Sequence, residues 1–357
     1  MNTIKHFMAF GILSAWLVGC AGDFHHAQPS ASPESTEALP TVIETVLEAG
    51  LYEIVSTYRG PIYVSAAGKE RDDAGKLLEI DPIRLQQTQP IATPKQAFGL
   101  AINRKTGIVY IGHTVDNMIS AFDTHTGQIQ GSVQLVREDE RGGLVRPRQI
   151  VVAEDTNTVY VGGVSPSGIV WAIDGKTLAI RDVIHVRNSI GLAYDAEKKR
   201  VYTGGNGAWN VIDASKGKWI DRFHIKDKSE RFLINLAVDS KGQRLFAADY
   251  KYGDLLVFST ETGQLLKVVP SGKNTLDVAY NPLRNEIYTS NRSSGTVSIF
   301  DGNDYTLKKE VPLGGIPNSL DISPDGNLLF VSLKMPAQGS RGYREDEKES
   351  IARIVLR

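Results

Sequence analysis

Short apolar triplets with a central aromatic residue recur along the chain at nearly regular intervals. Seven copies occur: Ile62-Tyr63-Val64, Val109-Tyr110-Ile111, Val159-Tyr160-Val161, Val201-Tyr202-Thr203, Leu245-Phe246-Ala247, Ile287-Tyr288-Thr289 and Leu329-Phe330-Val331. Successive aromatic positions are 47, 50, 42, 44, 42 and 42 residues apart. Repeats of ~40–50 residues built from strands are typical of a β-propeller, whose four-stranded blades bury their faces against each other. The pattern therefore predicts an all-β, seven-bladed β-propeller.

The residues around each triplet predict four strands per blade, called a to d, with the triplet in strand b. Strand a is a short apolar segment, as in Leu100-Ala101-Ile102, and we expect it to line the central channel. Strand c ends on an acid in most copies: Asp81, Asp123, Asp174, Asp213 and Asp301, with Ser259 in one blade. Because these side chains recur at one turn position, we interpret them as caps of Asx turns and not as a metal or catalytic site.

The two ends of the chain predict how the ring closes. The segment 351–356 reads as strand c of the last blade, and no strand d follows it. The segment 42–47 is a spare β pattern ahead of the first blade. We expect it to supply the missing strand d, because pairing the two ends leaves no free sheet edge. The propeller then spans residues 41–357.

The N-terminal residues resemble a bacterial export signal. A basic start is followed by an apolar run, Phe7 to Val18, which is too short to span a bilayer comfortably. Leu17-Val18-Gly19-Cys20 resembles a lipobox, so we expect a lipoprotein signal peptide at 1–19 and a lipid on Cys20; an ordinary signal peptide with a chance cysteine is the alternative. Residues 20–40 are rich in Pro and Ser and predict a tether. Ala21 favours the outer membrane, so we expect a periplasmic, lipid-anchored protein.

Composition narrows the classes of partner. The net charge is −1 with a pI near 6.7, which gives no global attraction for nucleic acid or anionic membranes. A single cysteine excludes an internal disulfide, a Cys-rich metal site and haem attachment through a Cys-x-x-Cys-His motif, and we expect no cofactor.

The repeats resemble the Tyr-Val-Thr-Asn propeller family, and more narrowly its exported YncE-type members. The resemblance covers roughly residues 50–357. Its most specific stretches are 98–103, 146–149, 155–160 and 317–320. It implies a seven-bladed periplasmic propeller without established catalytic residues, and single-stranded DNA binding has been linked to the family.

Candidate ligand-binding residues lie in the variable loops. Alternating connections place the a–b and c–d turns on one face, here the turn face, and the b–c and d–a loops on the other, here the loop face. Propellers usually bind at the loop face, near the channel mouth. The candidates there are Lys95, Gln96, Arg148, Arg187, Arg231, Lys273, Asn274, Arg292 and Asn318. The basic members suit carboxylate or phosphate, and we expect Lys95, Arg148, Arg231 and Lys273 to converge; pairing with nearby acids is the alternative.

Two charged b–c loops, 67–76 and 335–350, are longer than the rest and should adjoin across the closure. They could form a lip for a protein partner or be solvated excursions. Tyr250 and Tyr252, beside Lys251, could stack on nucleobases, although tyrosines in such loops more often pack.

Enzymatic chemistry has little support in the sequence. The histidines form no spaced cluster with acids, and no nucleophile elbow or glycine-rich phosphate loop is present. We therefore expect a non-catalytic binding module for a partner protein or anionic ligand. Single-stranded DNA binding at the basic channel mouth and a lactonase-like hydrolase, the latter by fold analogy alone, are the alternatives.

Overall fold

A computed structural model describes residues 40–68, 74–139, 141–165, 168–227, 230–335 and 348–356. The predicted signal peptide, Cys20 and the tether up to residue 39 lie outside these ranges. The central parts of the two long loops also lie outside them. Within the described ranges, no helix has the length and apolar character needed to cross a membrane.

The described residues form 28 β-strands. β1 (Val42–Val46) comes before the first blade. Blade one holds β2 (Leu51–Ser56), β3 (Ile62–Ala66), β4 (Lys76–Ile80) and β5 (Gln87–Ala92). Blade two holds β6 (Leu100–Asn103), β7 (Ile108–His113), β8 (Met118–Asp123) and β9 (Gln128–Gln134). Blade three holds β10 (Arg146–Ala153), β11 (Thr158–Val164), β12 (Ile169–Asp174) and β13 (Ile180–His185). Blade four holds β14 (Gly191–Asp195), β15 (Arg200–Gly204), β16 (Ala208–Asp213) and β17 (Lys218–His224).

The remaining strands continue the same order. Blade five holds β18 (Leu233–Asp239), β19 (Arg244–Asp249), β20 (Asp254–Ser259) and β21 (Leu265–Pro270). Blade six holds β22 (Thr275–Asn281), β23 (Glu286–Asn291), β24 (Thr296–Asp301) and β25 (Leu307–Pro312). Blade seven holds β26 (Ile316–Ile322), β27 (Leu328–Lys334) and β28 (Ser350–Val355). The predicted seven-bladed, all-β propeller is confirmed.

The N-terminal strand closes the ring. The seventh sheet has the strand order β1-β28-β27-β26, so β1 is its outer strand. β1 pairs antiparallel with β28 over five positions, from Val42 opposite Ile354 to Val46 opposite Ser350. Next to it, the Leu47 N–H donates to the carbonyl of Glu349 at 2.8 Å. The predicted closure is confirmed.

The core lies between neighbouring blades. The central aromatic residue of every triplet is at most 2% exposed, and these residues are Tyr63, Tyr110, Tyr160, Tyr202, Phe246, Tyr288 and Phe330. Each apolar cluster joins two blades: one packs Tyr63 of blade one against Val109 and Ile111 of blade two. Another joins Ile62 of blade one to Phe330 and Ile351 of blade seven. The repeat pattern predicted this core because the same triplet occupies strand b of every blade.

The acids at the ends of the c strands cap turns, as expected. Asp123 Oδ1 accepts the backbone N–H groups of His125 (2.8 Å) and Thr126 (3.4 Å). The same pattern occurs at the other positions of the set, Asp81, Asp174, Asp213 and Asp301, and with the hydroxyl of Ser259. These hydrogen bonds make the turn face a structural surface.

Strand a is irregular at the loop face in five blades. The pairing of strands a and b shifts register between Leu51 and Ile54, and equivalent shifts occur in blades three, five, six and seven. A β-bulge changes the direction of the side chains beside it. The residues at these bulges include the polar groups found near the channel axis.

Candidate functional site

Arg231, a predicted ligand-binding residue, lies in a buried ion cluster. Its side chain is 1% exposed. Its Nη1 donates to Asp249 at 2.6 Å and Asp254 at 2.7 Å, and its Nη2 donates to Asp227 at 2.7 Å. Burial alone would lower the pKa of Arg231, but hydrogen bonds to Asp227, Asp254 and Asp249 outweigh burial and raise it. Three carboxylates surround and outnumber this guanidinium, so it is not a free cation at the channel mouth.

Arg148 lies at the channel end of the loop face. Its Nη1 donates to the carbonyls of Ile190 (3.0 Å) and Ile234 (3.2 Å) and to Asn235 Oδ1 (3.0 Å). Because these acceptors belong to blades four and five while Arg148 belongs to blade three, the side chain connects three blades. Arg148 and Arg231 therefore occupy different environments, although both precede an a strand or lie at its start.

The other predicted residues are distributed over the loop face. Lys95 Nζ lies 3.6 Å from Asp116 Oδ1 with 56% of its side chain exposed. Gln96 is buried and donates to the Ala67 carbonyl at 2.8 Å. Asn318 Nδ2 donates to the Tyr52 carbonyl at 3.0 Å.

The last four candidates lie in three other loops of the same face. Arg187 and Lys273 are exposed, and Arg292 is half-buried. Asn274 Nδ2 donates to the Tyr250 carbonyl at 3.3 Å. The nine candidates thus divide among a buried cluster, the channel end and exposed loops, and ligand binding by them stays a prediction.

A concavity of about 700 Å³ lies on the loop face of blades four to six. It is lined by residues from four successive connections, namely Asn206, Glu230, Phe232, Tyr250, Lys251 and Asn274. Backbone hydrogen bonds join the connections, since Tyr250 N–H donates to the Phe232 carbonyl at 3.0 Å. Lys251 forms an ion pair with Glu230, so the charges at its edge are compensated. Aromatic rings, amides and a neutralised ion pair make this surface suitable for contact with another protein.

The buried ion cluster holds the floor of this concavity in place. Asp249 Oδ1 accepts the backbone N–H groups of Phe232 (3.0 Å) and Lys251 (3.1 Å), two residues that line the concavity. The other oxygen of Asp249 accepts from Arg231. The role of Arg231 is thus to position the loops. The sequence left pairing with nearby acids open as the alternative, but it did not identify the partners, two of which lie 18 and 23 residues farther along the chain.

The flanks of the two long loops meet at the closure, and the adjacency of the loops themselves stays a prediction. Lys76 Nζ lies 2.6 Å from Glu48 Oε2, and the Glu349 N–H donates to the Glu48 carbonyl at 3.0 Å. Lys334 is 5% exposed, 3.1 Å from Glu349 Oε2 and 3.6 Å from the centre of the Tyr52 ring. Burial lowers the pKa of Lys334 to about 8, and the nearby charge of Glu349 offsets only part of this shift.

The central channel contains a cavity of about 350 Å³ lined by the a strands. Strand pairing aligns one a-strand residue of each blade at the same level, opposite the third residue of the triplet. The members of this level that line the cavity are apolar: Ile54, Leu100, Leu192, Leu236, Val278 and Leu320. The apolar lining is as expected, but the levels on either side add carboxylates that sequence reasoning missed.

Two carboxyl groups lie at the loop-face end of the cavity. Glu53 Oε2 accepts the Leu100 N–H at 2.6 Å, and Asp277 Oδ2 accepts the Leu320 N–H at 2.8 Å. Burial raises the pKa of Glu53 to about 7, against the opposing effects of the Leu100 hydrogen bond and the charge of Arg148. Burial likewise raises the pKa of Asp277 to about 6, against its hydrogen bonds to Leu320 and Asn235. Each carboxyl group therefore links its blade to the next one.

A second arginine lies at the turn-face end of the cavity. Arg104 Nη2 is 3.3 Å from Asp321 Oδ1, and its Nη1 is 4.0 Å from Glu154 Oε1. Ser56 Oγ donates to Asp321 Oδ2 at 2.5 Å. Burial raises the pKa of Asp321, against the charge of Arg104. Acids inside apolar a strands, as in Leu320-Asp321-Ile322, were the sequence signal for these groups.

The described residues contain no group of three or more His, Cys, Asp or Glu side chains arranged to hold a metal ion. His113 is buried and bonded to Ser120 Oγ at 2.7 Å and to backbone carbonyls, and burial lowers its pKa. Its contacts connect β7 to β8 and to the loop between blades one and two.

The sequence of this chain is similar to those of known proteins. No family model matches the sequence. The protein YncE of Salmonella typhi is 32% identical over 334 residues, 91% of this chain and 94% of that protein. YncE of Escherichia coli K12 is 32% identical over 332 residues, 90% and 93% of the two chains. The names of these relatives state no catalytic activity.

Two further matches have lower sequence identity. Antigen Lp49 of Leptospira interrogans is 24% identical over 239 residues, 64% of this chain and 51% of that protein. A chain in a crystal structure of a mitotic checkpoint complex has a TM-score of 0.69 at 14% identity, covering 95% of this chain and 99% of its own. That likeness shows the fold alone. Since the similarity to YncE extends over nine tenths of the sequence and the seven-bladed ring is present, the chain belongs to the YncE family.

Proposed function

We propose that this protein is a non-catalytic binding module that holds a partner protein at its loop face. The observation that carries the proposal is the concavity lined by Phe232, Tyr250 and Asn274 in blades four to six. Aromatic side chains in a preformed depression are the groups that usually contribute most to protein–protein affinity. The ion cluster of Arg231 keeps this surface rigid, which lowers the entropy lost on binding.

Charge compensation favours a protein over a nucleic acid as the occupant. Lys251 is paired with Glu230 at the edge of the concavity, and Arg231 is enclosed by three aspartates beneath it. A phosphate backbone needs several uncompensated cations along its path. The concavity offers instead apolar area and hydrogen-bonding amides, which suit a side chain and the backbone of a protein segment.

A second part of the proposal concerns how the protein is attached to a membrane. We propose that Cys20 carries a lipid and that the propeller is exported to the periplasm, attached to the outer membrane. The tether of residues 20–40 would then keep the loop face accessible to a partner while the N-terminus stays at the membrane.

The test is affinity capture from envelope extract, followed by calorimetry with the purified partner. Wild type is compared with Tyr250→Ala and with Trp219→Ala, a control that removes a 51% exposed aromatic side chain from the outer strand β17. We expect Tyr250→Ala to weaken binding by about 10-fold or more and Trp219→Ala to leave it unchanged. Equal binding by wild type and Tyr250→Ala would refute the proposal. Salt-dependent binding of a labelled oligonucleotide that is lost in an Arg187→Ala/Lys273→Ala variant would favour single-stranded DNA instead.

A further inference from the structure

The channel cavity has two acidic ends and an apolar middle. At the loop-face end, the charge of one guanidinium, that of Arg148, acts on both Glu53 and Asp277. At the turn-face end, Asp321 and Glu154 share Arg104. When all these groups are ionised, each end carries two carboxylates for one guanidinium. These three groups together therefore have a net charge of −1 at each end.

The two ends are a short distance apart. Asp277 lies one position before the apolar level of its a strand, and Asp321 lies one position after it. Two residues of β-strand correspond to ~6–7 Å along the channel. The apolar level between them is lined by leucine, isoleucine and valine side chains. The cavity volume of about 350 Å³ is enough for a small organic molecule.

We propose that the channel binds an aliphatic diamine, with one ammonium group beside Glu53 and Asp277 and the other beside Asp321. The alkyl chain between two ammonium groups matches the apolar level, and its length of several methylene groups matches the separation of the ends. A metal ion does not fit, because the described acids do not gather into a group of three around one point. A dicarboxylate does not fit either, because both ends already have surplus negative charge.

The protonation of the carboxyl groups agrees with this arrangement. Without a cation, burial raises the pKa of Glu53 to about 7 and that of Asp277 to about 6, so protons reduce the surplus charge. The groups that face them are Arg148 from β10 and the Asn235 amide from β18, and neither supplies a second positive charge. An ammonium group placed here stabilises the ionised carboxylates, and its binding therefore releases protons near neutral pH.

The experiment is titration calorimetry of the wild-type protein with 1,4-diaminobutane, beside 1,4-butanediol and succinate as neutral and anionic analogues. At pH 8 we expect binding of the diamine and no binding of either analogue. At pH 5.5 the diamine should bind at least about tenfold more weakly, because protonated Glu53 and Asp277 cannot pair with it. Repeating the titration at pH 7 in buffers of different ionisation enthalpy should reveal proton release.

Two variants separate the site from general charge effects. Glu53→Gln keeps an oxygen that can accept the Leu100 N–H and removes the charge, so it should lower diamine affinity at pH 8 at least about tenfold and remove most of the proton release. Glu261→Gln changes an exposed acid in a c–d turn of blade five and should bind as wild type does. The absence of diamine binding at pH 8, equal binding of butanediol or succinate, or unchanged affinity in a folded Glu53→Gln variant would each overturn the proposal.

Discussion

Removing residues 40–47 should destabilise the whole ring, because these residues form the outer strand of blade seven. The deletion removes five paired positions between β1 and β28 and the flanking hydrogen bond from Leu47 to Glu349. About one net hydrogen bond per paired position, at ~1 kcal/mol each, gives about 5 kcal/mol. Loss of Leu47, which is 8% exposed, adds about 2 kcal/mol.

The expected loss of about 7 kcal/mol is comparable to the total stability of an ordinary domain, ~5–15 kcal/mol. The assay is equilibrium unfolding in urea, followed by circular dichroism, with proteins starting at residue 40 and at residue 48. Leu47→Ala is an intermediate variant that keeps β1 and should cost about 2–4 kcal/mol. If the shorter protein unfolds at the same urea concentration as the longer one, β1 does not close the ring.

Three further predictions concern single residues. Glu53→Gln should flatten the pH dependence of stability, because folding raises the pKa of Glu53 from 4.5 to about 7. Through this group the wild type should lose up to about 3 kcal/mol of stability between pH 4.5 and pH 8. Urea unfolding of Glu53→Gln and of the control Glu261→Gln at both pH values checks this, and an unchanged pH dependence in Glu53→Gln would contradict it. Arg231→Ala should cost about 3–5 kcal/mol because it leaves Asp249 buried without a cation. Lys251→Ala, which breaks the exposed pair with Glu230, should leave the stability nearly unchanged, and thermal unfolding that ranks the two variants equally would be inconsistent with the buried cluster. Cys20→Ala should move the protein from the membrane fraction to the soluble periplasm or block its processing, as fractionation and immunoblotting would show; membrane retention of a processed variant would place the anchor elsewhere.

The fold was predictable from sequence because its determinants repeat. Each triplet such as Ile287-Tyr288-Thr289 places a buried aromatic residue at the same point of its blade, so seven copies specified seven sheets. The closure was predictable for a related reason. Every blade needs a strand d, and 42–47 was the one β pattern without a blade of its own.

The environment of the candidate residues was much less predictable. Arg148 and Arg231 occupy similar places in the repeat, yet Arg148 lies at a β-bulge and bonds across blades, whereas Arg231 bonds to acids of its own blade and the preceding loop. Sequence does not show where a bulge redirects a side chain, or which acid of a neighbouring loop is close enough to pair. The carboxylates of the channel were missed because Glu53 and Asp277 are isolated within apolar a strands, where only the aligned register brings them together.

Hydrogen exchange of the protein with and without its captured partner tests the binding proposal most directly, because it reports every surface at once. We expect added protection at 206–207, 230–232, 250–252 and 273–275, the four connections that line the concavity. The c–d turns, such as 123–127, should exchange at the same rate in both states. Protection confined to the turn face or to the outer strands, with none around Tyr250, would contradict the claim that the loop face of blades four to six is the binding surface.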